Sequence, residues 1–185
     1  MMGLSFMEKA KIENIVGELL AQNGYSFGED TSVDIVELAR KLGFVVGIAE
    51  LPDNEDGFLA IQPLDPEKRD GEGGGKIIGV NVSRPIDLKR FIIAHEFAHW
   101  ALHYQEGKVF LHRENKKGKS IEENDADYFA AALLMPRASF SRVYSQLKEK
   151  GLNDVVICAQ LAATFKTPLE SVTRRIEEIA AFEAM

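Results

Sequence analysis

The stretch His95-Glu96-Phe97-Ala98-His99 places two imidazoles four residues apart with a carboxylate between them. On an α-helix, positions four apart share a face, so both rings can reach one metal ion. Glu96 projects about 60° round the helix from the second ring, beside a metal instead of under it. A general base for hydrolysis belongs there. The competing reading is a pair of core histidines, each satisfied by protein groups.

A catalytic zinc commonly takes three protein ligands and leaves one position to water. The third ligand must come from an element packed against the first helix, and Glu123 fits best. Asp127, one turn further on, is placed to accept the outer ring proton of His95 or His99 and hold its tautomer. Glu122, Glu123, Asp125 and Asp127 crowd together and repel one another, which calls for a compensating cation. Without one, the run reads as a solvated helix start favoured by the helix dipole. His103, one turn beyond His99, and His112, after the apolar piece 108–111, are alternative third ligands or transition-state groups. Tyr104 and Tyr128 are alternative donors to a developing oxyanion.

Several elements must position these groups. Apolar spacing predicts helices over 6–22, stopped by Asn23-Gly24, and over 34–42, stopped by Gly43. Short β-rich runs predict strands at 44–49, 58–61 and 76–82. Residues 87–104 form the central helix, with Phe91, Ala94, Ala98, Ala101 and Leu102 on one stripe and Leu88, His95, His99 and His103 on the next. A helix so apolar around its circumference is buried. Ser120 and Glu123 read as a capping box for a helix ended by Met135-Pro136. Helices follow at 138–150 and from Asn153 or Asp154 to Phe165, and Thr167-Pro168-Leu169-Glu170 reads as a capping box opening a last helix to about 181. Short strands without crossover helices predict an α+β protein whose small sheet is antiparallel or mixed.

The glycine-rich segment 65–76 reads as a loop, either surface slack or a lid or partner-binding segment. Its Gly73-Gly74-Gly75-Lys76 lacks the spacing and the Ser/Thr of a phosphate-binding loop. Basic residues 113–120 predict a second loop. The tail has two short helices around Phe165-Lys166-Thr167-Pro168, with Arg174 and Arg175 on the second, loosely like a DNA-reading helix pair. Glu170, Glu177 and Glu178 argue instead for packing on the rest of the protein.

The 185 residues, 45% hydrophobic and 28% charged, suit a single domain spanning 1–185 with a core at about 30–136 and a helical part at about 137–185. A net charge of -7 disfavours a non-specific grip on nucleic acid or anionic membrane. Cys158, the single cysteine, excludes an internal disulfide and, in its apolar setting, reads as a buried thiol. No membrane span or signal peptide is read, which predicts a cytoplasmic protein.

The run Arg90 to Trp100, followed by Glu123-Asn124-Asp125-Ala126-Asp127-Tyr128-Phe129-Ala130-Ala131-Ala132-Leu133-Leu134-Met135-Pro136, resembles the ImmA/IrrE family of zinc metallopeptidases. The order of 33–42, Gly57-Phe58 and 81–85 is similar to the family's as well. Ala98 stands where the family commonly has glycine. The resemblance implies a zincin-like, gluzincin-type core in which a small sheet packs on the HExxH helix and further helices follow. It implies Zn2+ held by His95, His99 and Glu123, with Glu96 as base and Asp127 behind a ligand. It implies a bacterial or phage-borne regulator, in some cases a toxin-antitoxin component, that cleaves or antagonises an Xre-type helix-turn-helix repressor or antitoxin. That partner would be a separate, neighbouring polypeptide. Three alternatives accompany this reading: a metal hydrolase of esters or nucleic acid, a toxin or anti-repressor acting by binding with a structural or vestigial zinc, and DNA binding through the tail.

Overall fold

The computed structural model describes residues 4–26, 32–62, 75–106, 108–113 and 120–184. Most of the glycine-rich segment and all but the ends of the basic 113–120 stretch lie outside the described residues. The chain divides into two compact units, Asp34–Asp127 and a helical unit of Met1–Val33 with Tyr128–Met185. Their boundary falls within one helix, α4 (Ile121–Leu134).

The Asp34–Asp127 unit opens with α2 (Ile35–Lys41), whose N-cap Asp34 accepts from the amides of Val36 and Glu37. Gly43, at φ 85, turns the chain where a side chain would be strained. Strands β1 (Phe44–Ala49), β2 (Gly57–Gln62), β3 (Gly75–Asn81) and β4 (Phe110–Arg113) form one sheet in the order β1-β3-β2-β4. The sheet is mixed: β1 runs parallel to β3, while β2 is antiparallel to both β3 and β4. Helix α3 (Ile86–His103) lies against β2, β3 and α2.

Strand register decides which side chains meet α3. Val46, Ile78, Leu59 and His112 occupy one cross-strand row, and Ile78 and Leu59 are fully buried. The adjacent row, Val45, Ile77, Ala60 and Leu111, lies on the other face, where Val45 and Leu111 are exposed. Alternation along β4 therefore turns His112 inward. Phe44, Phe97 and Trp100 pack with ring centroids 5.1–5.5 Å apart, fixing β1 to α3.

The helical unit holds α1 (Phe6–Gln22), the rest of α4, α5 (Arg137–Glu149), α6 (Asp154–Phe165) and α7 (Leu169–Glu183). Its centre contains a charge: Arg175 is fully buried, with Nη1 2.7 Å from Glu13 Oε1 and Nε donating to the Met135 carbonyl at 3.1 Å. Arg175 is thus packed inside this unit and is not presented at the surface, as the DNA-reading alternative for the tail would need. The Thr167 capping box is corrected. Pro168 is the N-cap of α7 with no side-chain cap bond, and the buried Thr167 hydroxyl lies 3.5 Å from Met135 Sδ. Cys158 is half-exposed, not buried. Among the described residues, no helix is long and apolar enough to cross a membrane.

Replacing Arg175 with Met should cost about 3–5 kcal/mol, because Glu13 would keep a largely buried charge without its cation. Urea denaturation monitored by circular dichroism measures the loss. A change below about 1 kcal/mol would mean that the ion pair does not hold these helices together.

Candidate metal centre

Helix α3 buries every residue from Ile92 to His99, which carries His95, Glu96 and His99 into the interior. Glu96 is 0% exposed and His99 1%. Groups so buried must bond to protein or to an ion. The 3.6-residue period brings His95 Nε2 to 3.1 Å from His99 Nε2.

The start of α4 supplies two carboxylates, again four residues apart. Glu123 Oε2 lies 3.1 Å from His95 Nε2, and its Oε1 lies 3.6 Å from His99 Nε2. Asp127 Oδ1 accepts from His95 Nδ1 at 3.0 Å, on the opposite edge of the same ring. One turn of α4 thus spans one imidazole. The capping box read at Ser120 forms in part. The Glu123 amide donates to Ser120 Oγ at 3.2 Å, while the Glu123 carboxylate turns to the histidines.

His112 enters from β4. Its Nδ1 is 3.0 Å from Glu96 Oε2, its Nε2 is 2.9 Å from Glu123 Oε1, and its ring stacks on His99 with centroids 3.6 Å apart. His112 therefore touches Glu96 and Glu123 without joining the cluster of His95, His99 and Glu123. Alternation along β4 was the sequence signal for its inward placement, but the choice of Glu96 as partner depended on strand pairing. Gly57 was readable only as a turn residue. A Cβ there would lie 2.5 Å from Ile92 Cγ2, 2.9 Å from the Gly79 carbonyl and 3.5 Å from Glu96 Oε1, so its absence lets β2 approach Glu96.

The ring of His103 lies 5.6 Å from that of His99, and its buried Nε2 has no hydrogen-bond partner among the described residues. Tyr104 caps the end of α3, with its ring edge-on to Phe110 at 6.3 Å. The Tyr128 hydroxyl donates to Glu13 at 3.0 Å, and burial and that carboxylate hold it un-ionised well above the usual phenol range.

Charges in the site sort themselves by contact. Burial opposes a proton on His95, but hydrogen bonds to Asp127 and Glu123 overcome it and push the ring up to about 10. Burial, then the neighbouring His112 and His95, pushes His99 down to about 3. Burial likewise opposes charge on His112, and bonds to Glu123 and Glu96 raise it to about 9. Hydrogen bonds from His112 and His95 hold Glu123 well below the usual carboxylate range. His95 thus has a carboxylate against each ring nitrogen, Asp127 at Nδ1 and Glu123 at Nε2.

The donor set fits a divalent ion. Ligand atoms of His95, His99 and Glu123 all lie within 4.8 Å of one another. A tetrahedral zinc would separate two imidazole nitrogens by about 3.3 Å, close to the 3.1 Å observed. Among the described residues, the buried Glu96 Oε1 has no hydrogen-bond partner, so it is an acceptor open to a donor such as water.

A family model described as the IrrE N-terminal-like domain, Peptidase_M78, matches residues 39–177. The fold is similar to that of a solved Mycobacterium tuberculosis transcriptional regulator, with a TM-score of 0.53 and 20% identity. That match covers 90% of this chain and 46% of the other, so this chain spans about half its length. No curated protein matches the chain.

Because His95 keeps a proton up to about pH 10, an arriving ion must displace it. Metal binding should therefore release about one proton per ion near neutrality, and affinity should rise about tenfold per pH unit below that value. Calorimetry in buffers of different ionisation enthalpy reads both. Affinity unchanged between about pH 6 and about pH 8 would mean that no proton leaves His95 when the ion binds.

Proposed function

This chain belongs to the Peptidase_M78 family of IrrE N-terminal-like domains, and from that premise we propose that it hydrolyses a peptide bond in a regulatory protein. The chain is a metallopeptidase by its family and its His-Glu-x-x-His helix. Our reading extends this to Zn2+ as the ion and to an Xre-type helix-turn-helix repressor or antitoxin, encoded nearby and met in the cytoplasm, as the substrate. The substrate class rests on the resemblance of the sequence motifs.

One observation carries the catalytic reading: three ligand atoms converge within 4.8 Å beside a fully buried glutamate with an unpartnered oxygen. In this reading His95, His99 and Glu123 hold the ion, and Asp127 fixes the orientation of His95 through Nδ1. When bound, the ion supplies Lewis acidity that lowers the pKa of a water and polarises the scissile carbonyl. Glu96 would accept a proton at Oε1 from the attacking water and pass it to the leaving amine. Its burial keeps bulk solvent from competing for the proton. His103, Tyr104, His112 and Tyr128 are the alternate transition-state or ligand groups that the sequence offers. Of these, His112 stands against both Glu96 and Glu123.

Incubating the protein with the helix-turn-helix product of a neighbouring gene tests the reading. Cleavage is expected with Zn2+, none with chelator, and a loss of at least about 10²-fold in Glu96→Gln. An intact partner held in a stoichiometric complex by both wild type and Glu96→Gln would replace proteolysis with antagonism by binding.

A further inference from the structure

The two oxygens of Glu96 are not equivalent. Oε2 accepts from His112 Nδ1 at 3.0 Å, while Oε1 is buried with no hydrogen-bond partner among the described residues. We propose that His112 is a positioning residue for Glu96, pinning Oε2 so that Oε1 alone is presented to the reacting water. The proposal rests on the peptidase reading above and specifies how its base is held.

A glutamate carboxylate turns readily about its last torsion, whose wells are broad. A proton-transferring group must hold its geometry to within about 0.5 Å and 10–20°. His112 is suited to supply that restraint because it is itself fixed on three sides. Its Nε2 is 2.9 Å from Glu123 Oε1, and its ring lies 25° from parallel to His99 at 3.6 Å. Its backbone sits opposite Leu59 in the β2–β4 pairing. Gly57 borders the other oxygen: a Cβ there would lie 3.5 Å from Oε1, and its absence leaves that side of the carboxylate open. One oxygen is anchored by a rigid ring and the other is left room.

The two ring nitrogens reach different carboxylates, so two amide substitutions separate their roles. Asparagine places its Nδ2 near the ring's Nδ1 position and keeps the bond to Glu96. Glutamine extends to the Nε2 position and keeps the bond to Glu123. In the metal-free protein labelled with 13C at glutamate carboxyls, the Glu96 resonance is identified by its loss in Glu96→Gln. It should move in His112→Gln and stay near its wild-type position in His112→Asn.

With saturating Zn2+ and unfolded casein as the probe substrate, His112→Gln should lose at least about tenfold in kcat with KM and Zn2+ affinity nearly unchanged. His112→Asn should recover most of kcat while binding Zn2+ about tenfold more weakly. Parallel loss of kcat and Zn2+ affinity in both variants, restored by more Zn2+, would reduce His112 to a support for Glu123. A Glu96 resonance unmoved in His112→Gln would also overturn the proposal. Should His112→Gln fail to fold, the wild-type ring decides: its Nδ1 resonance must shift in Glu96→Gln. Failure of the wild type to cleave any protein would count against the peptidase reading alone, since the resonance and the Zn2+ titration still test the contact.

Discussion

An imidazole in the middle of a buried helix has no water to bond, and α3 buries two of them, His95 and His99, on one face. Their ring nitrogens stand 3.1 Å apart, too close for both to be acceptors without a proton or an ion between them. The surroundings answer that constraint. Glu123 approaches the same two nitrogens, Asp127 takes the outer edge of His95, and His112 lies flat on His99. The sheet register that turns His112 inward and the period that brings Glu123 and Asp127 to one side of α4 both serve this point.

Such a site is legible in sequence because helical period is local. His95, Glu96 and His99, and separately Glu123 and Asp127, declare their shared faces without any knowledge of tertiary structure. Helix and strand limits are similarly local, and α1 and β1 span the residues that apolar spacing and β-branched runs mark. What was not legible depends on pairing at a distance. That β3 inserts between β1 and β2, giving a parallel pair, follows from no residue type. The contact from His112 to Glu96 required β4 to lie beside β2.

Local rules also gave way where a side chain found a better partner. Glu123 could bond back to the Ser120 backbone as a capping box suggests, yet its carboxylate meets three imidazoles. A charge-assisted bond in a partly buried setting outweighs a cap at an exposed helix start. Thr167 likewise faces the interior beside Met135. Acidic crowding at the start of α4 pointed to a cation, and the carboxylates there raise the imidazoles they meet, Asp127 and Glu123 that of His95 and Glu123 that of His112.

The arginine at the centre of the helical unit bears on how that unit opens. Its Nε holds the carbonyl of Met135, just past the end of α4, and its Nη1 holds Glu13 on α1. Unwinding α7 back past this residue would strip both partners at once in a medium that cannot solvate them. Fraying from the C-terminus should therefore halt short of Arg175. Amides beyond that point would exchange with deuterium only when α1 and α7 come apart together, making the terminal helix part of one cooperative unit.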